Sequence, residues 1–381
     1  MKFNYYAPTR VCFGTLEKEA LVQEVSGYGS KALILTGQNA SLVAASRIKA
    51  MLESDVATEV FSGVATNPLD TFIEGVSKKA NTPDVIITVG GGSVHDAGKA
   101  LSIVLTHAGV VEQYTVDGEY SVPGITNKLI PVITIPTLFW TGAEVSPASL
   151  IRIRDKKRVI FSPFLYPRTT FIDCSLAASL PVDTCVSSAL DALVQGVESF
   201  VSSQAQDFSK RFSASAIERV VTALLKISES GLTEAVLEQL ALASIEGLYA
   251  VGQTTVGAVH AISDPLSGIF DIHHGVAVGL LLPYVSEENY AFARDSYDYL
   301  KSIFDSIMGC SSSSFKEAVL SFYARIGFDV AKIKNQMTSA GIADHMMQCI
   351  KDSYNGDMFG NPREMDDETI SRILGEISNP A

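Results

Sequence analysis

The rhythm of hydrophobic and polar positions changes near the middle of the chain. In the first half, short unbroken apolar runs alternate with polar helical stretches. Lys31 to Gly37 (KALILTG), Asp84 to Ser93 (DVIITVGGGS) and Leu129 to Thr137 (LIPVITIPT) are such runs, rich in Val and Ile. Solid β-branched runs of this length read as strands buried on both faces of a parallel sheet. Between the first two, residues 40–55 (ASLVAASRIKAMLESD) space their apolar positions by three and four, which predicts a helix. Strand, helix, strand order predicts right-handed crossovers and a doubly wound, Rossmann-like sheet. Ligands of such sheets bind beyond the carboxyl ends of the strands, where these runs stop.

After about residue 180 the pattern becomes helical throughout. CVSSALDALVQGVESFVSS, FSASAIERVVTALLKISES and EAVLEQLALASIEGLYAVGQ all repeat apolar residues at helical spacing. The expected architecture is an α/β domain over residues 1–180, followed by an all-α domain over 181–381. Ser179 to Cys185 (SLPVDTC) forms the junction. The serine-rich stretch Cys310 to Ala318 reads as a loop whose last serine, Ser314, caps a helix.

Composition narrows the functional classes. Hydrophobic residues make up 47% of the 381 positions and charged residues 19%, enough to bury a sizeable core and too apolar for disorder. A net charge of −13 without a long basic run argues against a nucleic-acid partner. The five cysteines show no CxxC spacing, so neither a thiolate zinc knuckle nor a disulfide framework is expected, and a cytoplasmic location fits. The first residues lack the long apolar segment of a signal peptide. No unbroken apolar run reaches the about 18 residues a membrane span needs, so no membrane partner is expected.

Two stretches carry candidate chemistry. VGGGSVHDAGKA follows a predicted strand and opens a helical pattern. Three glycines let a phosphate approach the backbone, and the helix N-terminus offers free N–H groups there. Ser93 adds a hydroxyl donor. The stretch is neither GxGxxG nor a Walker loop, and a plain tight turn is the competing reading. Asp96 falls in the first helical turn, where serving the helix dipole is its simplest role.

HAISDPLSGIFDIHHG, from His260 to Gly275, holds three of the six histidines. Pro265 and Gly268 are expected to break it, so that His260 and His274 come from adjacent segments. Asp191 and Gln195 lie four apart in LDALVQ and share one helix face. A carboxylate with two imidazoles suits Zn²⁺ or Fe²⁺. The competing reading leaves Asp191 in a local pair and the histidines in the core.

The chain resembles the iron-containing (group III) alcohol dehydrogenase family over nearly its full length. GGGSVHDAGKA resembles the family's GGGSxxDxAK. IPTLFWTGAEVSP resembles its IPTTxGTGSEVTP, and LDALVQGVESFVS its MDALTHAIEAYVS. HAISDPLSGIFDIHHGVAVGLLLPYV resembles its HAMAHPLGxxxxxPHGxxNAxLLPHV. The four motifs occur in the family's order. The resemblance implies metal ligands at Asp191, Gln195, His260 and His274. Gln195 stands where iron-type members carry histidine, so it either ligates weakly through its amide oxygen or leaves its place to water. Glycerol dehydrogenases of the same superfamily are similar in using one Asp and two His, with zinc. Asp264 stands where many members have a non-ligand histidine near the substrate, and His273 replaces a proline.

The resemblance also implies an NAD(P) cofactor. Gly91, Gly92, Ser93 and Asp96 match its pyrophosphate element. Thr137 and Thr141 match the nicotinamide-side loop, Lys157 a lysine beside the ribose, and Asn67 with Pro68 the adenine-side element. NAD-preferring members place an aspartate at the end of the first strand; here that position is Gly37, so NADP is expected to be tolerated. Trp140, the single tryptophan, replaces a small glycine and either reshapes the pocket or packs.

The implied reaction is metal-assisted hydride transfer between a hydroxyl-bearing substrate and NAD(P), with water or Asp264 as the candidate proton acceptor. The expected partner is a small alcohol or sugar-derived molecule, and the expected assembly is a homodimer. The departures at Trp140, Gln195, Asp264 and His273 point to a specialised substrate. One example is the terminal alcohol of the sugar acid Kdo, for which Arg152 to Arg158 (RIRDKKR) offers basic groups unless it is a solvated hairpin. Two alternatives remain from other classes. One is a carbon–oxygen lyase similar to dehydroquinate synthase. The other is a non-catalytic dinucleotide-binding protein that has lost its metal through Gln195.

Overall fold

The computed structural model describes residues 4–116, 124–139, 141–154, 156–177, 180–270, 272–337, 346–347, 349–350 and 355–378. Trp140, and Asp155 of the basic cluster, lie outside the described residues. The chain divides into two compact units, Tyr6–Ser179 and Leu180–Ala381, the second also taking in Met1–Tyr5.

The first unit is built on a parallel sheet. Its strands are β1 (Arg10–Phe13), β2 (Lys31–Thr36), β3 (Ala57–Phe61), β4 (Val85–Gly90), β5 (Val132–Pro136) and β8 (Thr169–Ile172). A separate antiparallel hairpin pairs β6 (Ala148–Ile153) with β7 (Lys156–Phe161). Sheet order is β1-β8-β5-β4-β2-β3. The helices are α1 (Lys18–Ser26), α2 (Ala40–Leu52), α3 (Asp70–Lys79) and α4 (Gly92–Val104). Alternate residues feed opposite faces. Leu33, Leu35 and Ile86 pack with Ile73, Ala97 and Leu101 on one side. Ala32, Ile34, Val85 and Ile87 pack with Leu21, Ala45 and Ile48 on the other. Both faces are therefore covered, which explains why β2 and β4 read as unbroken apolar runs. The chain proceeds from β2 outward to β3, then from β4 in the opposite direction to β5. The sheet's switch point thus falls between β2 and β4, and ligand crevices of open α/β sheets form at such points.

The second unit is helical. α5 (Val182–Val201), α6 (Asp207–Ser230), α7 (Glu234–Thr254), α8 (Ala258–Phe270) and α9 (His274–Asn289) are followed by α10 (Arg294–Met308), α11 (Phe315–Ile326), α12 (Val330–Met337) and α13 (Asp367–Ser378). α5 packs against α6, α7 and α9, and almost every residue from Ser188 to Val201 is buried. An all-round buried helix is the centre of its unit. α7 is long and apolar enough to cross a membrane by composition. Its buried residues, Leu237, Leu240, Ala241 and Ser244 among them, belong to a helix packed on α5 and α6. Tyr5 packs its ring edge-on against Phe208 with centroids 5.0 Å apart. Ser314 caps α11, accepting from the Glu317 amide at 3.1 Å.

The Rossmann-like sheet and the helical second half match the sequence expectation. The break between His260 and His274 does not fall at Pro265. α8 runs through that proline to Phe270, and α9 starts at His274. Proline inside a helix removes one ladder hydrogen bond, and here the packed helix tolerates the loss. β1, β3 and β8 escaped the sequence reading because each is only four or five residues long and partly polar.

Candidate active site

Three separate elements of the helical unit bring metal-type donors together. Asp191 lies mid-way along α5, His260 in the first turn of α8, and His274 opens α9. One donor atom from each falls within 4.8 Å of the other two. His260 Nε2 is 3.2 Å from Asp191 Oδ1, and His274 Nε2 is 4.0 Å from the same oxygen. The imidazole centroids are 5.5 Å apart. Zinc or iron bound about 2.0–2.2 Å from each donor brings the donors to about 3–4 Å from one another, and the imidazole nitrogens here lie 3.2 and 4.0 Å from Asp191 Oδ1.

Charge reinforces the cluster. Burial alone would push the Asp191 carboxyl up, but the hydrogen bond to His260 and the charges of His274 and His260 outweigh it and hold it below the usual range. Burial opposes protonation of His260, yet Glu198 and Asp191 hold its pKa well above that of an ordinary imidazole. The pocket thus favours positive charge, and a divalent cation meets the same field.

Gln195 lies one turn after Asp191 and donates from Nε2 to Asp191 Oδ1 at 3.1 Å. Its Oε1 is buried and has no hydrogen-bond partner among the described residues. An amide rotated by half a turn would exchange the two atoms. The orphaned oxygen is the kind of group a cation satisfies, so the donor set fits a metal. His273 is not one of the three converging donors, although its charge and that of Asp191 act on each other. It is the N-cap of α9, and its Nδ1 accepts from the Gly275 amide at 3.1 Å. Asp264 Oδ1 lies 3.6 Å from His274 Nδ1, too long for a hydrogen bond but close enough for attraction, with its side chain 31% exposed.

The sequence reading passed over Glu198. It lies seven residues after Asp191 on the same face of α5 and is 5% exposed. Its Oε2 is 2.5 Å from His260 Nδ1, and its Oε1 accepts from the Val259 amide at 2.6 Å. The available signal was a carboxylate at i+7 from Asp191 in a helix with few charges.

In the α/β unit, the glycine stretch joins β4 to α4, with Gly91 as N-cap and Gly92 as the first helical residue. Surrounding loops crowd it. A Cβ on Gly92 would lie 2.6 Å from Thr141 Oγ1, and one on Gly91 would lie 2.8 Å from Leu138 Cδ1. The Thr137 amide donates to the Gly90 carbonyl at 2.9 Å, and the Asn67 amide to Ser93 Oγ at 3.2 Å. Asn67, Gly91, Gly92, Ser93, Thr137 and Thr141 therefore gather at the carboxyl end of β4, beside the sheet's switch point.

Asp96 and His95 face inward. Asp96 lies 3.5 Å from the fully buried Lys99, and burial pushes its carboxyl up to about 6 against the pull of Lys99. Lys99 donates to the Ala148 carbonyl at 2.7 Å, and Ser149 Oγ to the Asp96 carbonyl at 2.8 Å. These bonds tie α4 to the β6–β7 hairpin. Lys157, on β7, is near enough for its charge to act on Asp96. His95 bonds Thr88 Oγ1 through Nδ1 at 2.8 Å, and burial, with Lys99, lowers its pKa to about 3. It is a neutral core residue.

The family model "Iron-containing alcohol dehydrogenase" matches residues 8–174, and "Fe-containing alcohol dehydrogenase family, C-terminal" matches residues 185–378. The chain is 27% identical over 391 residues to 1,3-propanediol dehydrogenase of Klebsiella pneumoniae, covering 98% of each chain. The structure of an alcohol dehydrogenase from Oenococcus oeni superposes with a TM-score of 0.86 at 26% identity, covering 99% of this chain and 100% of that one. Sulfoacetaldehyde reductase from Bifidobacterium kashiwanohense, solved in complex with NAD+, superposes with a TM-score of 0.85 at 23% identity, covering 99% of each chain.

Proposed function

The chain belongs to the iron-containing alcohol dehydrogenase family, and from that premise we propose that it moves hydride between a small hydroxyl-bearing substrate and NAD, using one divalent cation. The observation that carries the reading is the convergence of Asp191, His260 and His274 within 4.8 Å. This donor set suits catalytic Zn²⁺ and equally Fe²⁺. The cation supplies Lewis-acid polarisation of the substrate oxygen, and the dinucleotide supplies the hydride acceptor.

The remaining roles fall to the chain's own residues. Asp191, His260 and His274 hold the cation, with Gln195 bonded to Asp191. Gly91, Gly92 and Ser93 take the pyrophosphate at the start of α4, where the helix dipole favours it. Asn67 flanks them on the adenine side, Thr137 and Thr141 on the nicotinamide side, with Lys157 at the ribose. Asp96 acts through its tie to Lys99. The NAD+ bound to the sulfoacetaldehyde reductase supports this ligand. Gly37 presents no carboxylate at the end of β2, which supports tolerance of NADP. Asp264, partly exposed beside His274, accepts the hydroxyl proton and hands it to solvent.

The substrate proposed is a small alcohol or sugar-derived molecule, a reading supported by the similarity to 1,3-propanediol dehydrogenase. The sugar acid Kdo belongs in the test panel, although the basic cluster lies on the β6–β7 hairpin, where Arg154 is 81% exposed and pairs with Glu112. The test is metal analysis of protein expressed with iron and zinc, paired with NAD⁺ and NADP⁺ reduction by diols, simple alcohols and Kdo. About one divalent metal per chain and chelator-sensitive reduction are expected. A chain without metal that still binds NAD would instead be a non-catalytic dinucleotide-binding protein.

A further inference from the structure

We propose that Glu198 is a positioning residue that fixes His260 in the tautomer able to bind the cation; this rests on the reading of Asp191, His260 and His274 as a metal centre. An imidazole ligand coordinates through a nitrogen with a free lone pair, and its other nitrogen then carries the proton. Glu198 Oε2 lies 2.5 Å from His260 Nδ1. A carboxylate accepts at that distance when Nδ1 carries the proton. His260 Nε2, 3.2 Å from Asp191 Oδ1, is then the nitrogen left for the cation.

Glu198 is itself held on several sides. Its Oε1 accepts from the Val259 amide at 2.6 Å, so one carboxylate grips two successive residues of α8. Gly257 leaves the room this needs, since a Cβ there would lie 2.9 Å from Glu198 Oε1 and 3.2 Å from Asn361 Oδ1. Asn361 continues the clamp. Its Oδ1 accepts from the Ala258 amide at 3.4 Å and from Asn289 Nδ2 at 2.8 Å, and its Nδ2 donates to Asn289 Oδ1 at 3.0 Å. Residues 258, 259 and 260 are thus anchored in succession by buried side chains from elsewhere in the unit. A carboxylate buried this deeply is costly unless its partners need its charge.

Two roles are separable. If Glu198 merely capped α8, glutamine would serve, because its amide oxygen still accepts from Val259. If Glu198 sets the tautomer, glutamine fails. Its amide nitrogen donates toward Nδ1, favouring the form with the proton on Nε2, where the cation belongs.

The experiment measures Zn²⁺ affinity by chelator competition in wild type and Glu198→Gln. Apo-protein melting temperature and NAD(H) affinity are followed in parallel. About 10–100-fold weaker zinc binding is expected, with melting temperature and NAD(H) affinity close to wild type. Zinc affinity within about threefold of wild type would overturn the proposal. Should Glu198→Gln fail to fold, the wild-type protein decides alone. ¹⁵N-histidine spectra of the zinc-loaded form should show His260 protonated on Nδ1, and protonation on Nε2 would overturn the assignment. Wild type that takes up no stoichiometric zinc would bring down the metal-centre reading, and this inference with it.

Discussion

The two candidate sites are built from opposite materials. At the glycine stretch of the α/β unit, Gly91 and Gly92 bring no side chains of their own to the candidate phosphate turn, and what matters is backbone and packing. A single Cβ on Gly92 would come within 2.6 Å of Thr141 Oγ1. In the helical unit, the site consists entirely of side chains, and what matters is which atom carries a charge, a proton or a lone pair. Asp191, His260 and His274 supply donors, Glu198 is bonded to one of them, and Gln195 bonds to another. The first kind of site fails when something is added. The second fails when something is removed or exchanged.

The largest effect should come from removing donors. Asp191→Ala takes away the carboxylate that both imidazoles face at 3.2 and 4.0 Å. Its metal affinity should fall by more than the about 10–100-fold expected of an outer partner, and His260→Ala and His274→Ala should behave alike. Gln195→Ala should cost less than about tenfold, because Gln195 contributes its amide to Asp191 and a neutral oxygen is a weak donor. Gln195→His should tighten the site. Metal content after dialysis reads all five variants. If Gln195→Ala empties the site as thoroughly as His274→Ala, the glutamine is a full ligand.

Adding bulk tests the other kind of site. Gly92→Val places a branched side chain where even a Cβ meets Thr141 Oγ1. NAD(H) affinity, titrated by fluorescence, should drop at least about tenfold, while metal content stays at the wild-type level. Unchanged NAD(H) affinity would remove Gly92 from the binding site.

The same contrast governs what could be read in the sequence. The glycine stretch was legible by itself, because a strand, three small residues and a helix are contiguous and carry their geometry with them. The sheet was legible at β2, β4 and β5, whose runs are buried on both faces, and not at β1, β3 and β8. The candidate metal donors were less legible. Asp191 and Gln195 share a helix face, but the histidines come from two other helices, and spacing does not say which side chains meet across a fold. Resemblance of motifs supplied that pairing. Glu198 went unread because a buried outer carboxylate has no spacing signature relative to a histidine 62 residues away. His95 shows the converse. It sits inside the most legible motif and turns out to be a core residue bonded to Thr88.

The smallest predicted effect introduces charge into the site where space otherwise rules. Gly37 follows β2, on the opposite side of the switch point from β4 and the glycine stretch. A Cβ there would meet the Val64 carbonyl oxygen at 3.5 Å and Ser41 Oγ at 3.6 Å, both ordinary contacts. Gly37→Asp is therefore sterically admissible, unlike Gly92→Val, and its consequence should be electrostatic. Two like unit charges about 4 Å apart repel by about 1 kcal/mol in water, and by more in a partly desolvated crevice. A 2′-phosphate should feel that repulsion, while a ribose hydroxyl should gain an acceptor. The expected outcome is an about five- to tenfold loss in NADP(H) affinity, with NAD(H) affinity held or improved. The ratio of the two dissociation constants is the measurement, since a general disturbance of the loop would cancel in it. An unchanged ratio would mean that Gly37 does not face the ribose. A shifted ratio with metal content intact would show that charge can tune the backbone-built site without touching the side-chain-built one.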